Sequence, residues 1–221
     1  MLMKRRSLVR SLVVLLILGT LNGCANPNVP QDYKLSSQQP VGLAVGSITF
    51  TGGMSLFRVL LQAKTTQKTY FAEVGQSQTV NVFKAFQPPE VNELLGLPGG
   101  LFAIQLPAGQ YQLTGWRVSQ GMANFTPSRR EAIDFQIEAG KATYLGNLHF
   151  IETSKAFLAT TGIEVTLQDK RARDLPALEK QFPTIASNPV AIALAEGTKY
   201  EHFGSAGQRR IDVPLFVPMA R

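Results

Sequence analysis

The segment 102–113, FAIQLPAGQYQL, decides the fold class of this 221-residue chain. Every second residue before the proline is apolar, and the alternation resumes at Tyr111. A period of two is typical of a strand with one buried and one solvent-facing side. Pro107 fixes φ at the first turn position, and we expect Gly109 to accept the positive φ that follows. The segment therefore predicts a β-hairpin.

The apolar positions shift by one residue after this predicted hairpin. Leu113 keeps the first alternation, whereas Trp116 and Val118 follow the other phase. A β-bulge adds one residue to a strand and produces such a slip, and a glycine inside a strand often marks it. The sequence therefore predicts a bulge at Gly115.

The same period recurs through residues 41–195, which are enough for one domain with its own core. The segments predicted as strands are 41–51, 57–63, 69–74, 79–84, 101–106, 111–118, 133–138, 142–151, 163–168 and 190–194. Many short strands joined by turns are typical of two packed sheets, and antiparallel sheets tolerate one wet face. We predict an all-β fold, an antiparallel two-sheet β-sandwich.

Two segments resemble known families. The pattern L-P-x-G-x-Y-x-L at 106–113 resembles the strand-turn-strand motif of prealbumin-like and carboxypeptidase-regulatory-like domains, and 139–150, AGKATYLGNLHF, is similar to segments of bacterial lipoproteins. Such domains generally bind or space other components. The resemblance implies a prealbumin-like or immunoglobulin-like sandwich without catalytic activity.

The N-terminal segment carries an export signal. The first ten residues contain four basic groups and no acid, and an apolar run follows at 12–18. This order is typical of a secretory signal peptide. The run is shorter than the roughly 20 apolar residues that span a bilayer. We therefore predict that residues 1–23 are removed on export.

The residues before the only cysteine are Leu21, Asn22 and Gly23. Together with Cys24 they resemble the lipobox of bacterial lipoproteins. The resemblance implies that Cys24 becomes the new N-terminus and carries a diacylglycerol thioether and an amide-linked acyl chain such as palmitate. Several acyl chains on one residue give stable anchoring. The alternative is a secreted protein with a free thiol.

The predicted mature chain is only mildly basic. Residues 1–23 hold four of the 22 basic groups and none of the 15 acidic groups, so a net charge of +3 remains. Nucleic-acid binding needs a concentrated basic stripe, and the basic clusters here are short and scattered. We expect no nucleic-acid partner. Ala25 is similar to the sorting pattern of outer-membrane lipoproteins in enteric bacteria, which implies a periplasm-facing outer-membrane location.

The two ends of the mature chain lack the strand pattern. Residues 24–40, CANPNVPQDYKLSSQQP, are proline-rich and polar, which predicts a flexible tether. The tail at 196–221 contains an apolar DVPLFVPM segment. We expect that segment either to pack as an edge strand or to meet a partner through Leu215 and Phe216.

Two internal stretches also depart from the strand pattern. The loop 87–100 predicts at most two helical turns, at 90–95, and is apolar. Its leucines are Leu94, Leu95 and Leu97. It either covers one end of the sandwich or meets a partner.

The segment 173–183, RDLPALEKQFP, predicts a short helix at 174–182. Asp174 is expected to cap it, Pro176 lies in its first turn and Pro183 stops it. We expect its apolar face to pack on the domain, and docking to another protein is the alternative.

The sequence contains few residues suited to catalysis or metal binding. His149 and His202 have no second ligand at a metal-binding spacing, so we expect no metal or cofactor. The string FGSAG lacks the G-x-S-x-G spacing, so Ser205 is not predicted as a nucleophile. Glu90 and Glu93 are the acids on which an envelope hydrolase would depend.

Aromatic side chains occur at strand positions that face inward. They are Tyr70, Phe71, Tyr111, Trp116, Tyr144 and Phe150. We predict that they form the core, and a stacking platform for sugar or peptidoglycan is the alternative.

These patterns favour a membrane-anchored envelope lipoprotein whose non-catalytic domain binds or positions another envelope component. The expected partners are the membrane, through the lipid on Cys24, and an envelope protein or peptidoglycan. The alternatives are an envelope hydrolase acting on glycan or peptide and an accessory of a transport complex.

Overall fold

The computed structural model describes residues 28–53, 55–75, 88–120, 123–156, 159–186, 189–205 and 207–211. The strands are β1 Val41–Thr51, β2 Leu56–Ala63, β3 Thr69–Gly75, β4 Val91–Asn92, β5 Leu97–Pro107, β6 Gly109–Gln120, β7 Ala123–Pro127, β8 Ile133–Ile137, β9 Ala142–Ala156, β10 Ala159–Gln168, β11 Val190–Ile192, β12 Lys199–Tyr200 and β13 Gly207–Ile211. Two short helices follow β10, α1 Arg171–Gln181 and α2 Pro183–Ala186. The all-β fold is confirmed, while the strand predicted at 79–84 lies outside the described residues.

The strands form two sheets. The first sheet has the order β12-β10-β9-β1-β5-β4, with β11 also paired to β9, and the second has the order β13-β7-β6-β2-β3, with β8 paired to β6. Strand β1 runs parallel to β9, and so does β11. The first sheet is therefore mixed, and the purely antiparallel prediction is wrong. Alternation reports which face of a strand is buried but not the direction of its neighbour, and the chain between β1 and β9 is long enough for a parallel crossover.

The segment 102–113 forms the two predicted strands but not the predicted hairpin. Strand β5 pairs with β1, whereas β6 pairs with β2 in the other sheet, so the turn at 107–109 is an arch between the sheets. The Tyr111 hydroxyl donates to the Pro107 carbonyl at 2.8 Å. The Ala108 N–H donates to the Pro40 carbonyl at 2.9 Å. Gly109 does not adopt a positive φ, so that expectation is also wrong.

The predicted bulge in β6 is confirmed. Leu60 lies opposite Gly115 and Leu61 lies opposite Leu113, so β6 contains one extra residue at this point. Gly115 has a φ of 150°, which L side chains rarely adopt. The bulge keeps both Leu113 and Trp116 on the buried face.

The main core lies between the two sheets. Trp116 of the second sheet meets Phe150 of the first edge-on, with 5.9 Å between ring centres. Phe50 stacks on Phe57 at 4.5 Å. Five of the six aromatic residues predicted as core are buried: Tyr70, Tyr111, Trp116 and Phe150 in this core, and Tyr144 on the other face of the first sheet. The sixth, Phe71, is half-buried beneath the Arg58 guanidinium.

A second, outer core covers the other face of the first sheet. It joins strand residues to both helices, to the N-terminal segment and to the loop after β4, and its buried members are Val29, Leu43, Val45, Leu95, Leu101, Ala103, Ala142, Tyr144, Ala177, Leu178, Phe182 and Ile185. Strand β1 is consequently buried on both faces. That burial explains why its sequence is a nearly continuous apolar run.

The helix predicted at 174–182 forms, but it begins three residues earlier. Lys170 occupies the N-cap position without a side-chain capping bond, and Asp174 lies inside the first turns, fully buried. The capping role predicted for Asp174 is wrong. Leu178 and Phe182 are buried against the outer core, as expected for a helix that packs on the domain.

The stretch predicted to form helical turns at 90–95 is instead a hairpin of β4 and β5. Val91 pairs with Pro98 and Asn92 pairs with Leu97. The Asn92 side-chain oxygen accepts the Leu94 N–H at 3.0 Å, the kind of local bond with which asparagine initiates turns. This local bond overrides the weak helical pattern of the leucines. Within the described residues no helix is long and apolar enough to cross a membrane.

Candidate functional site

Residues 28–40 dock on the domain, so the prediction of a tether is wrong from residue 28 onward. The Val29 N–H donates to the Ala103 carbonyl at 2.8 Å, and the Ala103 N–H donates to Asn28 Oδ1 at 2.9 Å. Val29 is only 8% exposed. The segment forms hydrogen bonds with backbone groups of β5 on the edge that faces away from β1. Without the segment these backbone groups would lack a hydrogen-bond partner in the protein.

The docked segment continues along the outer core to the second helix. The Thr184 hydroxyl donates to the Tyr33 carbonyl at 2.6 Å. Tyr33 and Leu35 pack against the buried residues of the outer core. Burial of a few apolar side chains thus offsets the entropy that this largely polar segment loses when it becomes ordered. Composition alone does not reveal these contacts.

The β4–β5 hairpin occupies the same edge of β5 as the docked segment. Val91 pairs with Pro98, whereas the Asn28 side chain lies beside Leu101, with 3.4 Å between Asn28 Nδ2 and the Leu101 carbonyl oxygen. Three residues of a strand span about 10 Å. The first described residue of the chain therefore lies close to the hairpin.

The hairpin presents only part of the apolar surface that the sequence predicted. Leu95 is buried in the outer core, while Leu94 and Leu97 are half-buried. Val91 is the most exposed large apolar residue of the described chain, at 54%. The other predicted contact residues, Leu215 and Phe216, lie outside the described residues.

A groove of about 500 Å³ lies between the docked segment and the arch. Its lining residues are Asn28, Val29, Pro30, Tyr33, Val41, Lys68, Tyr70, Gln105, Leu106 and Pro107. The Lys68 ammonium lies 4.9 Å from the centre of the Tyr70 ring. A concave surface of this volume that combines apolar side chains with polar groups has features of small-ligand sites. Sequence analysis missed the groove because it exists only where the N-terminal segment is docked.

A buried polar network beneath α1 was also missed. Asp174 is fully buried, and one of its oxygens accepts hydrogen bonds from Ser47 Oγ at 2.6 Å and from the Tyr144 hydroxyl at 2.7 Å. Its other oxygen pairs with the Arg173 guanidinium at 2.7 Å. Burial, followed by the neighbouring Asp174 charge, raises the pKa of Tyr144 well above its usual value. Tyr144 therefore stays protonated and donates to the carboxylate.

The network extends across the first sheet to His149. Asn147 Nδ2 donates to Ser47 Oγ at 2.8 Å, and Thr49 Oγ1 lies 2.9 Å from His149 Nδ1. Burial, with the nearby Arg173 and Lys170 charges, lowers the pKa of His149, so the ring is neutral at pH 7.

This network does not form a nucleophile and base. The Ser47 hydroxyl donates directly to a carboxylate, whereas a hydrolase of the Ser-His-Asp type has an imidazole in that position. The arrangement holds α1 against the first sheet. The sequence contains a signal for this network, because polar residues occur at every second position of two otherwise apolar strands. They are Ser47 and Thr49 in β1, and Asn147 and His149 in β9.

The turn that contains His202 and Ser205 joins the two sheets. Phe203 is fully buried, its N–H donates to the Val165 carbonyl at 2.7 Å, and its carbonyl accepts the Trp116 indole N–H at 2.8 Å. His202 is exposed, 3.4 Å from Glu164. In this turn no hydrogen bond joins the Ser205 hydroxyl to the His202 ring; the Ser205 backbone N–H donates to the His202 carbonyl.

The two acids named for a hydrolase, Glu90 and Glu93, are exposed on the hairpin. Neither lines the groove. The part of the chain that the structure describes contains no cluster of three or more His, Cys, Asp or Glu residues that could hold a metal ion.

Comparison with known proteins does not assign the chain to a family. No protein-family model and no curated protein matches it. A solved structure with partial similarity is a leucine-rich repeat protein from Bacteroides thetaiotaomicron VPI-5482, at 15% identity and a TM-score of 0.26. The alignment covers 49% of this chain and 13% of that protein.

Proposed function

We propose that this protein is a lipid-anchored component of the bacterial cell envelope. Its domain binds or positions another envelope component without catalysing a reaction. The observation that carries the proposal is the lipobox-like LNGC, which follows a basic start and a short apolar run. Acylation of Cys24 at the outer membrane, on the periplasmic side, is part of the proposal.

The docked N-terminal segment supports a short connection to the membrane. Cys24 precedes Asn28 by four residues, a distance of at most about 14 Å along an extended chain. A tether that ended at residue 40 would reach several times farther. The domain is thus held close to the bilayer, and its groove opens beside the anchored end.

The groove supports a binding role better than a hydrolytic one. It offers one ammonium, two phenol rings and two side-chain amides, but no carboxylate pair. Glycoside cleavage requires two carboxyl groups facing each other across a cleft. The resemblance to prealbumin-like and carboxypeptidase-regulatory-like domains remains part of this proposal, and the two-sheet all-β architecture supports it.

Metabolic labelling with an alkyne-bearing fatty acid tests the anchor. We expect label on the wild-type protein in the membrane fraction and none on the Cys24→Ser variant. Equal labelling of both proteins would refute the anchor.

Photo-crosslinking in intact cells tests the binding role. A photoreactive residue replaces Gln105 in the groove, and the same residue at exposed Glu201, next to β12 at the opposite edge of the first sheet, serves as the control. We expect a protein or glycan adduct only from the groove position. Absence of adducts from both positions would refute the binding role.

A further inference from the structure

We propose that the β4–β5 hairpin, residues 91–98, is a membrane-contact surface that rests in the headgroup region of the bilayer. The proposal builds on the lipid anchor at Cys24. It identifies the partner of the predicted apolar loop as the lipid surface itself.

The direction of the docked segment places the hairpin on the side from which the chain arrives. Asn28 lies beside Leu101, and Pro30 lines the groove together with Gln105 and Pro107. The segment therefore runs in the same direction as β5. Its start points toward the end of β5 at which the hairpin lies.

The lengths of chain restrict which surface meets the bilayer. Asn28 is held at most about 14 Å from Cys24. The hairpin is only about 10 Å farther along β5, whereas the arch at the other end of the strand is roughly 20 Å away in the opposite direction. A bilayer that carries the Cys24 acyl chains consequently meets the hairpin first.

The exposed chemistry of the hairpin fits a zwitterionic lipid surface. Val91 is 54% exposed, and Leu94 and Leu97 of the same hairpin are half-buried. Such side chains gain from partial burial among headgroups. Glu90 and Glu93 are exposed beside them and remain in headgroup water. Their charges oppose contact with anionic lipids.

A fluorescence experiment on the full lipidated protein tests the proposal. Cys24 is the only cysteine and is blocked by its lipid, so Val91→Cys supplies a single free thiol for an environment-sensitive fluorophore. Thr66→Cys is the matched control, because Thr66 is exposed in the β2–β3 turn, whose Lys64 N–H donates to Gln110 beside the arch. Both proteins are bound to phosphatidylcholine vesicles with and without nitroxide-labelled acyl chains.

We expect the nitroxide lipids to lower the fluorescence at position 91 by roughly twofold and to leave position 66 nearly unchanged. Equal quenching by the nitroxide lipids at positions 91 and 66, in protein that floats with the vesicles, would overturn the contact surface while leaving the anchor intact. Protein that fails to float would overturn the anchor and, with it, the contact surface.

Discussion

Asp174 shows how a buried charge is stabilised by neighbours that are far away in the sequence. Its partners Ser47 and Tyr144 are 127 and 30 residues distant. A buried carboxylate without such donors would cost several kcal/mol. Local sequence indicates a helix cap at this position because acidic residues favour helix N-termini. Only the tertiary fold brings the donors together.

Replacement of this carboxylate should destabilise the domain. We expect Asp174→Ala to lower the free energy of unfolding by about 3–5 kcal/mol, because Arg173 and two hydroxyl donors lose their buried partner. Urea unfolding followed by circular dichroism measures the change. The matched control is Asp134→Ala, which removes an exposed carboxylate paired with Lys64 and should have much less effect. Equal effects would contradict the structural role of the network.

His149 should make the stability depend on pH. Its pKa is lowered in the folded protein from the ordinary value of 6.5, so the unfolded chain binds more protons below that value. Stability is therefore fully present above about pH 6.5 and is lost as the pH falls toward the folded pKa. We expect the melting temperature to fall less between about pH 7.5 and about pH 5 in His149→Gln than in wild type.

The control for this prediction is the other histidine. His202 is largely exposed, so His202→Gln should keep the wild-type pH dependence. An unchanged dependence in His149→Gln would show that burial of this ring does not contribute to it.

At the scale of elements, the sequence predicted strands better than their partners. The position of β8 and the bulge at Gly115 follow from alternation, since burial of one face is a local pattern. The arch at 107–109 was mistaken for a hairpin because both strands bury one face in the same core. The alternation pattern does not indicate which neighbouring strand each strand forms hydrogen bonds with.

The docked N-terminal segment gives a test at this scale. We expect Val29→Asp to release the segment, because burial of a valine contributes about 1.5 kcal/mol or more. The Ala103 amide, which donates to Asn28, should then exchange with deuterium roughly tenfold faster. Lys34→Asp, at an exposed position of the same segment, is the control and should leave the exchange unchanged. Equal exchange in all three proteins would contradict the docking.

At the scale of the whole molecule, two cores share the first sheet, and the chain reaches the domain through the outer one. Composition predicted a free tether because residues 24–40 are mostly polar. A few contacts with the outer core, chiefly those of Val29, Tyr33 and Leu35, hold residues 28–40 against the domain instead. The groove depends on this docking, which is why neither the groove nor its position beside Asn28 could be predicted.

In the proposed lipid-anchored protein, the short connection between Cys24 and Asn28 should control how closely the domain approaches the membrane. Insertion of about 12 glycine and serine residues after Ala25 adds a mean reach of roughly 20 Å. We expect the lengthened protein to float with phosphatidylcholine vesicles as wild type does, because its acyl chains are unchanged. The fluorophore on the Val91→Cys variant should then lose its quenching by nitroxide lipids, since the hairpin is no longer held at the surface. Quenching that survives the insertion would mean that the hairpin binds lipid through its own affinity, independently of the short connection.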